Sequence, residues 1–304
     1  MRLFTLLTLI ALAASTFAQD LAGDLTLHRL LIDGEDWQLV AEGIGFADGA
    51  CSDAEGNFYF SDLRGNVIYK IALDGTRSTL IEEAASGLKF GPDGRLYACE
   101  NGKKRVIVID LATKGIDVLA ENVEPNDLVV TRSGFVFFTE TGKRQVTFLD
   151  PKTKMTHAAD TGITGPNGIA LSPDQGTVAV SDYRGANMWV FRIEADGALA
   201  AKAAYMTMRL PIDPAGEFKF NADPPFRSDS AGDGMTTDTI GRYYVTSAAG
   251  VQVFDSIGRL CGVLSRPQPG KPLTSCVLSG PGRAYLYVTN QDKVFRRKVQ
   301  ATGN

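Results

Sequence analysis

The stretch DAEGNFYFSD at residues 53–62 decides the fold, because five further stretches repeat its pattern of a glycine turn followed by β-rich residues. The other copies are GPDGRLYACE at 91–100, TRSGFVFFTE at 131–140, SPDQGTVAVSD at 172–182, DTIGRYYVTS at 238–247 and GPGRAYLYVTN at 280–290. Their turn glycines are Gly56, Gly94, Gly134, Gly176, Gly241 and Gly282, at intervals of 38, 40, 42, 65 and 41 residues. Self-similarity near 40 residues is typical of a repeat architecture.

Each copy follows an apolar stretch and precedes a second pair of alternating segments, such as 67–71 and 78–81 in the first repeat. Four short strands joined by tight turns predict one propeller blade. We therefore predict an all-β fold, a six-bladed β-propeller with four-stranded blades, in a single domain over 19–304. The stretch 37–40 is predicted to add a strand to the last blade and close the ring, which removes exposed sheet edges. A β-sandwich or a parallel β-helix would need a different period or connection length.

The 65-residue interval contains one insertion at about 204–231, which is rich in proline and phenylalanine. In the predicted propeller this insertion overhangs the face where the innermost strands begin. It is interpreted either as a lid over that face or as a brace between two blades.

The first eighteen residues have the pattern of a secretory signal peptide: Arg2, an apolar run from Leu3 to Ala14, and small residues up to Ala18. We predict an exported protein, periplasmic or extracellular, with an uncleaved anchor as the alternative. The run is shorter than the ~20 residues that span a bilayer, so no membrane association is expected after cleavage. The formal charge of −4 gives no support for a nucleic-acid partner, and no obligate protein partner is inferred.

Positions eight residues before the turn glycines are polar in every repeat, among largely apolar neighbours. They are Asp48, Ser86, Asn126, Asn167, Asp233 and Thr274, with Asn167 at nine residues because its turn carries one more residue. Since equivalent blade positions converge near the axis, we predict a polar ring at one face. Its two aspartates and two asparagines are hard oxygen donors that suit Ca²⁺ or another divalent cation such as Mg²⁺, Mn²⁺ or Zn²⁺. The alternative is that Asx-Gly dipeptides such as Asp48-Gly49 only cap turns.

Positions six residues after the turn glycines form a second polar set beside the first. They are Asp62, Glu100, Glu140, Asp182 and Ser247, and the sixth repeat breaks the pattern with Val288. Clustered carboxylates are costly unless they bind a cation or a polar ligand, so Glu140 and Asp182 are candidate substrate-binding residues together with Asn126. Arg184, two residues beyond Asp182, is a further candidate, whereas the matching Arg64 is interpreted as a solvated ion pair. The alternative for each carboxylate is that it accepts backbone N–H groups of the following loop.

The residue inventory excludes several classes of site. The two histidines, His28 and His157, do not align with the predicted ring, so Ser-His-Asp catalysis and a His-rich metal site are not expected. The chain has no Gly-rich phosphate loop. The four cysteines lack zinc-binding spacing and are interpreted as small buried hydrophobes.

The stretches around the predicted ring resemble the SMP-30/gluconolactonase/LRE-like family, across essentially the whole exported part of the chain. Residues 48–57 (DGACSDAEGN), 125–128 (PNDL), 166–174 (PNGIALSPD) and 232–235 (GDGM) are similar to the family's signatures, in order. The resemblance implies a six-bladed propeller with one divalent cation, commonly Ca²⁺, at the central face, and in many members lactone hydrolysis.

Carried over position by position, the resemblance implies that Asp48, Asn167 and Asp233 ligate the cation. It also implies that Asn126 ligates the cation or contacts substrate, and that Asp233 is the general base. Two positions depart from the family pattern: Asp48 stands where a glutamate is usual, and Ala50 where a proline is usual. The shorter Asp48 side chain puts cation affinity and preference in question.

Lactone hydrolysis is the leading functional hypothesis, with the cation polarising the ring carbonyl and Asp233 activating water. Glu124 stands where some relatives carry arginine or serine, so the substrate is expected to differ from their sugar lactones. The alternative function is a non-catalytic exported propeller that binds a sugar or another small ligand, because binding uses the same residue types. A strictosidine-synthase-like or paraoxonase-like propeller is expected to place a histidine over the metal, and none is in reach here.

Overall fold

The computed structural model of the protein describes residues 21–22, 26–210 and 229–304, whose regular structure is almost all β-strand. The predicted signal peptide at 1–18 lies outside the described residues, as does the central part of the predicted insertion, 211–228. No helix in the described ranges is both long and apolar enough to cross a membrane. Ahead of the repeats the chain forms β1 (Leu21–Ala22), α1 (Thr26–Leu30) and β2 (Gln38–Ala41).

The repeats form six antiparallel sheets, which are the six predicted blades. Blades 1 and 2 are β3 (Ala47–Ser52), β4 (Phe58–Asp62), β5 (Val67–Ile71), β6 (Arg77–Ile81), and β7 (Gly87–Phe90), β8 (Leu96–Glu100), β9 (Arg105–Ile109), β10 (Ile116–Glu121). Blades 3 and 4 are β11 (Leu128–Val130), β12 (Val136–Glu140), β13 (Gln145–Asp150), β14 (Met155–Thr161), and β15 (Pro166–Leu171), β16 (Thr177–Asp182), β17 (Asn187–Ile193), β18 (Leu199–Thr207). Blades 5 and 6 are β19 (Met235–Thr237), β20 (Tyr243–Ser247), β21 (Gly250–Phe254), β22 (Leu260–Leu264), and β23 (Ser275–Ser279), β24 (Tyr285–Asn290), β25 (Lys293–Lys298). Two 3-10 helices, Asn101–Lys103 and Pro281–Arg283, lie in blade loops.

The ring closes as predicted. The innermost strands contact one another from blade to blade, and β23 of blade 6 contacts β3 of blade 1. The N-terminal strand β2 pairs with β25 and completes the last blade, which confirms the closing strand with bounds shifted by one residue. Trp37 lies just outside the strand, and its indole N–H donates to the Ser265 carbonyl at 2.8 Å. The short strand β1 adds a fifth strand to blade 5, which the sequence pattern did not predict.

Hydrophobic clusters fill the spaces between neighbouring blades. Between blades 6 and 1, for example, the buried rings of Phe58 and Tyr287 stack with centroids 4.5 Å apart. The turn glycine of blade 1 serves this packing, because Gly56 has a φ of +92° and a Cβ there would collide with the Gly280 carbonyl. All four cysteines are buried and none forms a disulfide.

Blade 4 keeps the regular spacing although its turn glycine is displaced by one residue. Gln175 takes the left-handed turn position with a φ of +61°, and its N–H donates to the Ser172 carbonyl at 2.8 Å. This matches the bond from Gly56 N–H to the Asp53 carbonyl in blade 1. Asn167 is therefore eight residues before the turn residue, as in the other repeats, and Gly176 is the additional residue.

Two boundaries predicted from the sequence need correction. The strand register of blade 6 pairs Ser275 with Thr289, so the residue that ends its second strand is Asn290 and not Val288. The pattern therefore does not break, because the 3-10 helix Pro281–Arg283 lengthens the turn by two residues. In blade 4, residues 204–207 of the predicted insertion belong to β18, where Ala204 pairs with Trp189.

Candidate functional site

The six polar positions lie where the innermost strands begin. They are Asp48 in β3, Asn167 in β15, Ser86 and Thr274 one residue before β7 and β23, and Asn126 and Asp233 two residues before β11 and β19. Because the six innermost strands surround the axis, all six residues stand at one end of the central channel. We refer to this set as the polar ring.

Hydroxyl groups of one blade bind the backbone of the next blade at the polar ring. Thr139 Oγ1 donates to the Asn167 carbonyl at 2.5 Å, and Ser181 Oγ donates to the Asp233 carbonyl at 3.0 Å. The corresponding bonds from the ring itself are Ser86 Oγ to the Asn126 carbonyl and Thr274 Oγ1 to the Ala47 carbonyl, both at 2.7 Å. Ser86 and Thr274 therefore have a structural function. The sequence signal for Thr139 and Ser181 was a hydroxyl residue directly before the carboxylate that ends the second strand, Glu140 in blade 3 and Asp182 in blade 4.

The glycines after Asn167 and Asp233 allow neighbouring blades to approach closely. A Cβ at Gly168 would collide with the Asp233 carbonyl, and a Cβ at Gly234 would lie 2.6 Å from Ser275 Oγ. These glycines are therefore required by packing between blades, not only by a turn.

β-bulges change the direction of two side chains of the polar ring, Asp48 and Asn167. In blade 1 the register shifts between the pairs Asp48–Ser61 and Cys51–Tyr59. In blade 4 it shifts between Pro166–Asp182 and Ile169–Val180, so Asn167 lies inside the bulge. A bulge redirects a side chain without ending the strand, and such bulges are common beside functional sites.

The two aspartates of the ring are poorly compensated. Each carboxylate accepts the N–H of the following glycine at 2.9 Å, and neither has an ion-pair partner in the described part of the chain. Burial raises the pKa of Asp48 above that of an ordinary aspartate, and the charge of Asp127 raises it further. Burial also raises the pKa of Asp233, and here the charge of Asp48 is the next largest cause. The channel thus holds two mutually repelling carboxyl groups that a cation would stabilise.

The donor set fits a hard divalent cation. Asn167 is only 7% exposed, and its Oδ1 atom is buried without a hydrogen-bond partner. A buried carbonyl oxygen without a donor costs stability unless something outside the chain satisfies it. Across the described ranges, no three His, Cys, Asp or Glu side chains converge on one metal position. A cation here would therefore use amide oxygens together with the carboxylates of Asp48 and Asp233.

Asp127 is a buried carboxylate of the channel that sequence reasoning missed. It follows Asn126 at the position where four other blades carry glycine after the ring residue. Its oxygens accept the N–H groups of Leu128 at 2.8 Å and Ile169 at 3.3 Å. Burial raises its pKa to about 6, against the lowering effects of the Lys89 charge and these two N–H groups. The sequence could have indicated Asp127, because an acidic residue stands where most repeats have glycine directly after the ring residue.

A cavity of about 450 Å³ opens beside Asp48 and Asn126. Six of its nine lining residues are polar, and they include Asn66, Asn101 and Lys103 from the loops of blades 1 and 2. Carboxamide and ammonium groups next to the ring can bind the hydroxyls and the carbonyl of a small polar ligand.

The carboxylates that end the second strands are occupied by contacts within the protein. Glu140 accepts bonds from Glu124 N–H at 2.8 Å and from Thr147 Oγ1 at 2.6 Å, and it pairs with Lys143 Nζ at 2.7 Å. Asp182 accepts the Gly165 N–H at 2.8 Å. In the same way, Asp62 accepts the N–H groups of Gly45 and Phe46, which lie just before β3. These contacts favour the loop-capping interpretation, and a substrate contact of Glu140 or Asp182 stays a prediction.

Arg184 lies on the exposed rim of blade 4. Its N–H donates to Asp182 Oδ1 at 3.2 Å, and the base of its side chain packs close to Gly165. The guanidinium is not among the residues that line the cavity beside Asp48, so its substrate contact also stays a prediction.

The sequence model of a protein family, described as the SMP-30/Gluconolactonase/LRE-like region, matches residues 46–292 of this chain. The chain belongs to the SMP-30/gluconolactonase/LRE-like family. It is 25% identical, over 307 aligned positions, to a gluconolactonase of Zymomonas mobilis, with 88% of this chain and 82% of that protein covered.

Solved structures of the family share the fold. A gluconolactonase from Xanthomonas campestris superimposes with a TM-score of 0.75 at 23% identity, covering 92% of this chain and 94% of that one. Regucalcin from Agrobacterium tumefaciens, a calcium-binding protein, gives a TM-score of 0.70 at 16% identity, covering 89% and 96%. The resemblance in the four ring motifs is thereby confirmed at the level of the family, and the match includes all six ring positions.

Proposed function

We propose that this protein hydrolyses a lactone with the help of a divalent cation held by Asp48, Asn167 and Asp233. The observation that carries the proposal is the unpartnered, buried Oδ1 atom of Asn167, in one ring with two buried carboxyl groups that have no ion-pair partner among the described residues. Membership of the family and the similarity to the Zymomonas gluconolactonase support the reaction class.

In this proposal each ring residue has a separate task. When bound, a divalent cation supplies Lewis acidity for the lactone carbonyl and for water. Asp233 accepts the proton of the attacking water, because its carboxylate stands at the ring without an ion-pair partner among the described residues. Asn126, which lines the cavity beside Asp48, orients the lactone ring. The hydroxyl bonds to the backbone of Asn167 and Asp233 keep both side chains in position.

Turnover and its cation dependence can be measured together. We expect proton release from δ-gluconolactone above the spontaneous rate, its loss after treatment with a chelator, and its recovery with Ca²⁺, Mg²⁺, Mn²⁺ or Zn²⁺ added singly. A panel of other aldonolactones and aliphatic lactones then defines the substrate. Thermal stabilisation by sugars without turnover of any lactone would instead identify a non-catalytic binding protein.

The role of Asp233 is tested at saturating cation by Asp233→Asn, which keeps the shape but removes the base and replaces a carboxylate ligand by an amide. We expect kcat to fall by about 10²–10⁴-fold, the usual contribution of a general base. Asp33→Asn is the matched control, because Asp33 is exposed and lies ahead of the blades. Full activity of Asp233→Asn would contradict the mechanism.

We also propose that the protein is exported, on the pattern of residues 1–18. Protein recovered from the periplasm or the medium should begin at Gln19 by N-terminal sequencing. Accumulation of the uncleaved chain in the cytoplasm would contradict this proposal.

A further inference from the structure

A second layer of side chains faces the channel deeper inside, three residues after each position of the polar ring. This layer consists of Cys51, Lys89, Val129, Ala170, Thr236 and Val277, all of which line one cavity. Five of the six are small, apolar or neutral, and Lys89 is the single charged residue among them. Propeller symmetry does not require a lysine here, since the other five blades manage without one.

The cavity lies at the opposite end of the channel from the polar ring. Its lining includes residues at the ends of the innermost strands, such as Ser52, Leu171 and Thr237, whereas the ring lies at their beginnings. Its volume of about 390 Å³ is within the ~300–1,000 Å³ typical of small-molecule sites. We refer to it as the lower cavity.

Lys89 has no counter-charge in contact with it. Among the described residues, no carboxylate or other acceptor lies within ion-pair or hydrogen-bond distance of its Nζ atom. The Lys89 charge lowers the pKa of the buried Asp127, but the oxygens of Asp127 accept the N–H groups of Leu128 and Ile169. A half-buried ammonium beside apolar walls is costly unless an anion approaches it.

We propose that the lower cavity binds a small organic carboxylate, with Lys89 as its ion-pair partner. Thr236 supplies a hydroxyl from blade 5, which faces blade 2 across the axis of a six-bladed ring. Val129, Leu171 and Val277 supply apolar walls for the body of the ligand. Arg132 also lines the cavity, but its guanidinium donates to the Pro173 carbonyl at 3.0 Å. Lys89 is therefore the cation that the lining leaves for a ligand, and one ammonium favours a monocarboxylate over a multiply charged anion.

This site is independent of lactone hydrolysis. The lower cavity lies at the opposite end of the channel from the ring and shares no lining residue with the cavity beside Asp48. Binding to Lys89 should therefore persist in a chelator, where the ring holds no cation.

Titration calorimetry with benzoate, in a chelator at neutral pH and low salt, tests the proposal on the full chain. We expect saturable binding to the wild type, at least tenfold weaker binding to Lys89→Met, and retained binding to Lys89→Arg. Lys152→Met, which removes an exposed lysine from an outer turn, should bind as the wild type does. Inorganic phosphate should bind more weakly than benzoate, because one ammonium does not neutralise a multiply charged anion.

Equal affinity of the wild type and Lys89→Met would overturn the proposal, as would the absence of benzoate binding at millimolar concentration. Thermal unfolding of each variant checks that the comparison is made on folded protein. Lactone turnover by the wild type is measured separately, so a failure of this proposal is distinguishable from a failure of the proposed function.

Discussion

The Asn167 side chain illustrates how a residue can be kept at a cost to the metal-free protein. Its buried Oδ1 atom has no donor, although the backbone around it is held by Thr139 and by close contact with blade 5. An unsatisfied buried acceptor costs about 1–3 kcal/mol. A cation would convert this cost into binding free energy, which links stability to cation concentration.

Replacement of Asn167 by leucine should separate these two effects. We expect Asn167→Leu to lower Ca²⁺ affinity at least tenfold while changing the free energy of unfolding in a chelator by no more than about 1 kcal/mol, because the orphan acceptor is removed. Calorimetry and urea unfolding with and without Ca²⁺ provide the measurement. Thr139→Val is the control: it loses the bond to the Asn167 carbonyl and should destabilise both states. Unchanged Ca²⁺ affinity in Asn167→Leu would remove this residue from the ligand set.

Counting from the turns predicts the polar ring because each turn is separated from its ring residue by one strand of constant length. The count holds even in blade 4, where Gln175 replaces the turn glycine. The count does not show which polar groups remain without a hydrogen-bond partner. Ser86 and Asn167 hold equivalent positions in the repeat, but the Ser86 hydroxyl donates to the Asn126 carbonyl, whereas Asn167 Oδ1 has no partner. Asp127 and Lys89 were missed because they break the repeat in one blade only, which a search for shared positions ignores.

At the scale of elements, the ends of the second strands act as anchors for the loops that surround the site. Glu140 is 1% exposed and is bound by groups from the loop before blade 3 and from β13. Burial alone would raise its pKa, but the hydrogen bonds from Lys143, Thr147, Glu124 and Gln145 outweigh burial and hold its pKa below the usual value. A depressed pKa in the folded state means that the charged form stabilises the fold.

The stability that Glu140 contributes should disappear in acid. It is fully present above the unfolded-state pKa of about 4.3 and is lost as pH falls through the lower folded-state pKa. We expect Glu140→Gln to lower the free energy of unfolding by about 1–3 kcal/mol at neutral pH, with the difference from the wild type shrinking below about pH 4. Urea unfolding from pH 3 to pH 7 measures it. Glu121→Gln, at an exposed glutamate, should show no such pH dependence, and a constant difference for Glu140→Gln would contradict the argument.

The approach of blade 5 to blade 4 depends on Gly168. A methyl group there would collide with the Asp233 carbonyl, so we expect Gly168→Ala to cost about 1–3 kcal/mol through overpacking and to weaken cation binding by displacing Asp233. Gly176→Ala is the matched control, since its Cβ would meet only Asp174 at 3.5 Å or more, and it should stay within about 0.5 kcal/mol of the wild type. Unfolding curves and Ca²⁺ titrations of both variants decide the matter. Wild-type behaviour of Gly168→Ala would show that the blades can separate without cost.

For the molecule as a whole, closure of the ring joins the two ends of the described chain. Strand β2 completes blade 6, while Leu27 and Leu30 of α1 are buried in the core of blades 5 and 6. The last repeat supplies only three strands, β23, β24 and β25. A fourth strand from elsewhere in the chain is therefore needed to complete blade 6, and β2 provides it. Strand β1 has no counterpart in the repeat, and two residues are too short to give a pattern of their own.

The closed ring should unfold as one cooperative unit, because release of β2 would expose sheet edges and the core beneath α1. The two tryptophans report on this separately: Trp37 flanks the closing strand, and Trp189 lies in β17 of blade 4. In Trp189→Phe the remaining Trp37 fluorescence, and in Trp37→Phe the remaining Trp189 fluorescence, should change at the same urea concentration as the far-ultraviolet circular dichroism of each variant. A Trp37 transition well below that of the circular dichroism would mean that the closing strand detaches while the blades persist. Closure would then contribute little to the stability of the channel.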